Sequence, residues 1–178
     1  MPHRLTSAFL PVHVLLSAAM LLAPVAFAAA QDDLIRMRAQ YAAETNPVGK
    51  AKILAKLGPR EMTAMRAASQ DDEEKALAIL QRYRDAVRET TQALLALGVD
   101  AARHPGGFKE LQISLRMFIR RLDDLILSLQ QDQRASFRAV RADLETDESS
   151  LIDALFPARP PRRPSDAGRQ RGGYAAPN

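Results

Sequence analysis

The chain has 178 residues, of which 25 are basic and 21 acidic, and it contains neither cysteine nor tryptophan. The absence of cysteine excludes disulfide bonds, zinc–thiolate sites, iron–sulfur clusters, thiol catalysis and lipoprotein anchoring. Nothing in the composition points to a cofactor, and we expect none.

The first thirty residues differ in composition from the rest of the chain. Arg4 is their single Lys or Arg, they contain no acid, and their apolar stretch ends in small residues. This pattern predicts a secretory signal peptide over 1–30, with the mature chain beginning at Ala29 or Gln31. The apolar stretch is also nearly long enough to span a membrane, but two prolines and a histidine within it disfavour that alternative. We therefore expect an exported protein, periplasmic or secreted, with no integral membrane span once the signal is removed.

Positive charge is concentrated at the two ends of the chain. Residues 31–156 hold 19 basic and 20 acidic residues, so the sequence pI near 9.8 reflects the terminal segments. A nucleic-acid-binding domain normally carries an excess of basic residues of its own. We therefore expect no nucleic-acid partner.

Apolar residues recur at helical spacing through most of residues 31–156. The stripes predict three long helices, over 72–97, 108–129 and 132–156. Three short helices are predicted before them, over 32–44, 47–57 and 59–68. Asn46 is the expected N-cap of the second short helix, Pro47 its first residue and Gly58 its stop.

No strand-like alternation of useful length occurs, and no Asn-Gly or Asp-Gly hairpin turn is present. The predicted class is therefore all-α, with residues 31–156 as one domain. Short connections between successive helices favour antiparallel neighbours. We expect a single up-and-down helical bundle of three long and about three short helices.

The last segment, 157–178, is rich in proline, arginine and glycine. Such a composition buries too little apolar surface to fold and predicts a disordered tail. Its five arginines could tether the protein weakly to anionic lipid or cell-wall polymer: Arg159, Arg162, Arg163, Arg169 and Arg171. The alternative is a solubilising tail with no dedicated partner.

Residues suited to catalysis are scarce. His104 is the single histidine outside the predicted signal, so the mature chain has no histidine pair for a metal ion. His104, Gly106 and Gly107 precede the strongest predicted helix, and the free amides at its start are a candidate anion contact. The alternative is an ordinary turn. We expect no catalytic, cofactor or metal site and no enzymatic activity.

Adjacent acids occur at three places, 71–72, 73–74 and 123–124. Neighbouring residues on a helix point about 100° apart, so neither member of a pair converges with the other on one substrate. We interpret the first two pairs as an N-cap and first helical turn. We interpret the third as paired locally with Arg120 and Arg121 on a solvated face.

Several segments resemble known groups of proteins. One group, of predicted exported bacterial helical proteins with no assigned function, is similar at 50–58 (KAKILAKLG), 104–111 (HPGGFKEL), 120–125 (RRLDDL) and 151–157 (LIDALFP). Residues 74–83 (EKALAILQRY) resemble the second helix of a tetratricopeptide repeat. Residues 129–134 (LQQDQR) are similar to the Leu-Thr-x-x-Gln motif of periplasmic stress chaperones and metal-resistance sensors.

These observations favour an exported, non-enzymatic helical interaction protein of the bacterial cell envelope. It would contact an unidentified envelope component through an apolar groove, or an anionic surface through the basic tail. The alternative is a periplasmic chaperone-like or stress-sensing module, which an exposed concave apolar surface in a dimer would favour.

Overall fold

The computed structural model describes residues 23–157, with side chains from residue 31 onward. This part of the chain forms five α-helices: α1 (Ala23–Ala43), α2 (Pro47–Ala68), α3 (Glu73–Ala96), α4 (Phe108–Ser128) and α5 (Arg134–Leu155). Residues 23–157 contain no β-strand, so the all-α prediction is confirmed. The helices are all 21 to 24 residues long, which differs from the predicted three long and about three short.

The predicted stop at Gly58 is wrong, because α2 continues through Gly58 and Pro59 as one helix. A proline inside a helix has no N–H to donate and leaves the carbonyl four residues earlier without its usual partner. Here that carbonyl belongs to Ala55, and the Ser114 hydroxyl of α4 donates to it at 3.0 Å. The helix tolerates Pro59 because its neighbour supplies the missing hydrogen bond.

The predicted helix ends are otherwise close to those observed. The Asp72 side chain accepts a hydrogen bond from the Lys75 N–H at 2.9 Å, as expected of an N-cap. The Asn46 side chain does the same for Val48 at 2.9 Å. Gly98 follows α3 with φ +64°, a left-handed conformation that stops the helix. These contacts are local, which is why the sequence predicts them.

The helices form a bundle in which α2 packs on α1, α3 and α4, and α5 packs on α3 and α4. The four helices α2, α3, α5 and α4 therefore surround one core, and α1 covers α2. Successive helices were expected to be neighbours, but the backbones of α3 and α4 lie diagonally across the core. The connection 97–107 is long enough to cross the end of the bundle.

The core is apolar and continuous along the bundle. Each of the four surrounding helices contributes leucines with no solvent exposure, among them Leu54, Leu80, Leu122 and Leu144. The diagonal is bridged by Tyr83 and Phe118, whose rings stack with centroids 4.3 Å apart.

Two of the predicted segments are not tested by this fold. Helix α1 begins at Ala23 and so includes the last residues of the predicted signal peptide 1–30. The tail from residue 158 onward, with all five of its arginines, lies outside the described residues, as do residues 1–22. The signal peptide, the domain limits and the tail remain predictions.

Candidate functional site

At Gly58, a side chain of α3 comes close to the backbone of α2. A Cβ atom at this position would lie 2.7 Å from the hydroxyl oxygen of Tyr83, closer than real Cβ atoms approach. Glycine therefore lets the aromatic side chain of α3 reach the backbone of α2. The pair Gly58–Pro59 is not a helix stop; it forms a seat that both Tyr83 and Ser114 contact.

The Tyr83 hydroxyl is enclosed at this seat. Its oxygen is fully buried and has no hydrogen bond of good geometry in the described part of the chain, although Ser114 lies beside it. Burial raises the pKa of Tyr83, and the nearby Ser114 hydroxyl offsets this only in part. The phenol is thus a neutral packing group under all physiological conditions.

Next to this seat, α2 and α4 leave an apolar groove of about 420 Å³ open to solvent. Ile113 and Met117 of α4 form its outer wall and are 50% and 47% exposed. The remaining lining residues are Ala55, Pro59, Met62, Glu110, Ser114, Phe118 and Arg121. Large apolar side chains this exposed, set beside a cavity, mark a surface suited to binding.

A second depression of about 670 Å³ continues the groove toward the C-terminal ends of α2 and α4. The two depressions share Met62 and Arg121. The second is lined in addition by Thr63, Arg66, Ala67, Gln70 and Asp124. We call the two together the α2–α4 groove; one end is mainly apolar, and the other is lined by two arginines and one aspartate.

Charge is distributed unevenly around the bundle, although residues 31–156 are nearly balanced. Helices α2 and α4 together hold nine basic and four acidic residues, whereas the rest of this segment holds ten basic and sixteen acidic ones. The two helices that form the groove therefore carry a net positive charge, whereas the rest of the segment is net negative. The net charge of residues 31–156 conceals this asymmetry, because it sums the charges of all five helices.

The groove is better suited to binding than to acid–base chemistry. Its two lining carboxylates, Glu110 and Asp124, lie fourteen residues apart on α4, a separation of about 21 Å. Paired carboxylates that act on one bond are less than about 10 Å apart. Glu110 is moreover engaged by the backbone N–H of Gly107, at 2.8 Å.

A buried ion pair fixes α1 on α2. Glu61 is 3% exposed, and its carboxylate accepts two hydrogen bonds from Arg38, at 2.6 and 2.5 Å. Two parallel bonds of this kind satisfy both carboxylate oxygens. The sequence did not single out either residue, because they are twenty-three positions apart and their partnership depends on how α1 docks.

Asp147 of α5 is a second buried acid that sequence reasoning missed. It is 8% exposed, and its Oδ2 has no hydrogen-bond partner among the described residues. Burial raises the pKa of Asp147, and the neighbouring carboxylate of Asp143 acts in the same direction. The guanidinium groups of Arg88 and Arg84 lower it and offset the burial only in part.

We therefore expect Asp147→Asn to increase the free energy of unfolding at pH 7 by about 1 kcal/mol, since it removes the cost of a buried charge. Because the folded state raises this pKa, the fold is more stable with Asp147 protonated than with Asp147 ionised. This added stability is lost as the pH rises through the folded-state pKa. The difference in the free energy of unfolding between variant and wild type should shrink as the pH falls toward 3.8, the ordinary pKa of aspartate. Urea unfolding of both proteins across this range measures it; a difference that grows on acidification would contradict the expectation.

The predicted anion contact lies in the connection between α3 and α4. His104 and Gly106 are exposed, whereas Gly107 is buried and has φ +85°. The Gly107 N–H, one of the amides expected to hold the anion, already donates to the carboxylate of Glu110. An anion here would have to compete with that negative charge, and the contact at His104 remains a prediction.

The acidic pairs have different roles from one another. Asp72 caps α3, as expected, and Glu73 and Glu74 occupy its first turn. The predicted local pairing of residues 123–124 with Arg120 and Arg121 is wrong for Asp123. Its carboxylate accepts two hydrogen bonds from Arg141 of α5. Asp123 pairs across the bundle because it faces α5.

No group of three potential metal ligands comes together within residues 31–157. Across the described helices, none is both long and apolar enough to cross a membrane. Comparison of the chain with protein-family models, curated proteins and solved structures finds no match.

Proposed function

We propose that this chain is an exported, non-enzymatic interaction protein of the bacterial cell envelope, and that the α2–α4 groove is its contact surface. The observation that carries the proposal is the half-exposed pair Ile113 and Met117 beside an apolar cavity. Leaving such side chains in water is unfavourable, at about 25 cal/mol for each Å² of apolar surface. A partner that covers them would gain this free energy on binding.

An up-and-down order of the helices is part of the proposal. It is supported by two ion pairs between α4 and α5, Arg116 with Glu148 and Asp123 with Arg141. Arg116, the earlier of the two residues in α4, pairs with Glu148, the later of the two in α5, as in antiparallel helices. The arrangement presents α4 with one face on the core and one face in the groove.

Export is supported by the composition of residues 1–30. Cell fractionation followed by mass spectrometry of the protein's N-terminus tests it. We expect the mature chain to begin at Ala29 or Gln31 and to be found in the periplasm or the medium. Recovery of an uncleaved chain in the membrane fraction would contradict export.

Contact through the groove can be tested in the cell that makes the protein. A photoreactive amino acid replaces Met117 in one variant and Leu127 in another. Leu127 is a matched control, because it lies on the same helix and is 69% exposed but does not line the groove. We expect crosslinked protein adducts from position 117 and few from position 127. Absence of adducts at 117, or equal yields at both positions, would overturn the proposal.

The alternative function is that of a chaperone-like or stress-sensing module. It is supported by the same concave apolar surface, which could hold unfolded chains. Aggregation of a chemically denatured model protein, followed by light scattering, distinguishes the two. A chaperone would suppress aggregation at about equimolar ratio and Met117→Asp would abolish the effect, whereas a dedicated interaction protein would leave aggregation unchanged.

The basic tail provides a further prediction. Deleting residues 158–178 should leave the melting temperature unchanged but lower binding to vesicles of anionic phospholipid, because the five tail arginines each contribute up to about 1 kcal/mol at such a surface. The tail's contribution should fade with added salt. Vesicle co-sedimentation of full-length and truncated protein measures it, and equal binding at low ionic strength would refute the tether.

A further inference from the structure

We infer that the α2–α4 groove takes an acidic amphipathic helix of another envelope protein. The inference rests on the proposed function, which says only that the groove is a contact surface. It goes further by assigning the partner's secondary structure and charge. Three properties of the groove support it: its length and openness, its methionines, and two lining arginines that form no ion pair within the described residues.

The first property is shape. The lining residues on α2 run from Ala55 to Ala67, twelve positions and about 18 Å along the helix. A helix of three to four turns has this length. Its apolar face would cover Ile113 and Met117 while its polar face stayed in water, as in other helix-in-groove complexes. A single acyl chain has no polar outer face and would leave much of its own surface exposed.

The second property is the pair of methionines on opposite walls. Met62 belongs to α2 and Met117 to α4, and both line the apolar end of the groove. Met117 is 47% exposed and Met62 only 3%, so Met117 is the one whose unbranched, polarisable side chain can adapt to a partner helix. Groove-type peptide receptors use methionine for this purpose.

The third property is charge. Arg66 and Arg121 line the second depression together with one acid, Asp124, and Lys56 is exposed on α2 outside the lining. Within the described residues, Arg66, Arg121 and Lys56 form no ion pair. A partner with acidic residues flanking its apolar face would pair with these cations. A basic partner would be repelled by them.

A second copy of this chain fits the groove less well. The most acidic helix, α5, carries five acidic and three basic residues. Within Arg134–Leu155 it exposes no large apolar side chain; its one exposed neighbour of this kind, Phe156, lies at its C-terminal cap. Self-association would therefore match the charge of the groove without filling it.

The inference can be tested with synthetic peptides and the full mature protein. The probe is a fluorescent fifteen-residue helical peptide with leucines at i, i+4, i+7 and i+11 and glutamates on the flanking positions. A matched peptide carries lysines in place of the glutamates, and a third has the same composition as the probe in scrambled order. We expect the glutamate peptide to bind about tenfold or more tightly than either control by fluorescence anisotropy, and its affinity to fall with salt.

Two pairs of variants locate the binding. Met117→Asp should lower the affinity about tenfold or more, whereas Leu127→Asp, on the same helix outside the groove, should leave it unchanged. Arg121→Glu should weaken binding of the glutamate peptide and improve that of the lysine peptide. Arg120→Glu is the control, because Arg120 is exposed and adjacent but does not line the groove. Circular dichroism of each variant verifies that it folds.

Other outcomes would overturn the inference. Equal binding of the three peptides, or equal effects of Arg121→Glu and Arg120→Glu, would indicate attraction to charge without a groove. Concentration-dependent dimerisation that Met117→Asp abolishes would make a second copy the occupant. Crosslinked adducts at position 117 in cells, together with no affinity for the glutamate peptide, would leave the proposed function standing and refute the acidic helix; no adducts would refute the function itself.

Discussion

Replacing Leu122 with alanine should lower the free energy of unfolding by about 2–5 kcal/mol, through lost apolar burial and the cavity left behind. Leu122 has no solvent exposure and lies in the middle of the apolar stripe of α4, facing the common core. Equilibrium unfolding in urea, followed by far-UV circular dichroism, measures the change.

Arg120→Ala is the matched control on the same helix. Arg120 is exposed and forms no ion pair with any residue of the described segment, so the loss should be below about 1 kcal/mol. A loss as large as that of Leu122→Ala would mean that the arginine is buried against a partner. The interpretation of this part of α4 as a solvated surface would then have to be withdrawn.

The second large effect is expected where α2 meets Tyr83. Gly58→Ala should destabilise the protein by up to about 2 kcal/mol, although alanine favours a helix interior over glycine by about 1 kcal/mol. The new methyl carbon would lie 2.7 Å from the Tyr83 hydroxyl, and relieving that overlap in a packed core costs about 1–3 kcal/mol.

Tyr83→Phe should remove the destabilising effect of Gly58→Ala. On its own it removes a buried hydroxyl that has no hydrogen bond of good geometry, and it should be neutral or stabilising by about 1 kcal/mol. In the Tyr83→Phe background, Gly58→Ala should no longer destabilise, because the overlapping oxygen is gone. A double-mutant cycle by urea unfolding should give a coupling of about 1–2 kcal/mol. Additive effects would show that the glycine does not serve the tyrosine.

The sequence by itself determined the helical class and most helix ends. The stripe around Leu122 follows from helical periodicity, which depends only on residues three or four positions apart. The caps at Asn46 and Asp72 and the stop at Gly98 are equally local, since each contact joins residues within one turn. Such features do not depend on where the other helices lie.

The same local rules failed at Gly58 and Pro59. They predict a stop there, and in isolation the missing hydrogen bond would favour one. Ser114, fifty-nine positions from Ala55 in the chain, supplies the bond instead, and Tyr83 occupies the space that glycine leaves. Neither compensation can be seen before α3 and α4 are placed beside α2.

The candidate site was decided by tertiary structure for the same reason. The sequence favoured an apolar groove as a contact surface but could not say which helices form it. It pointed instead to His104 as an anion contact and to the tail arginines as a surface tether. Only the packing of α2 on α4 brings Met62 to Met117 and places Arg66 near Arg121. The charge asymmetry likewise exists only once helices are assigned to faces, because composition sums charges without regard to where the fold puts them.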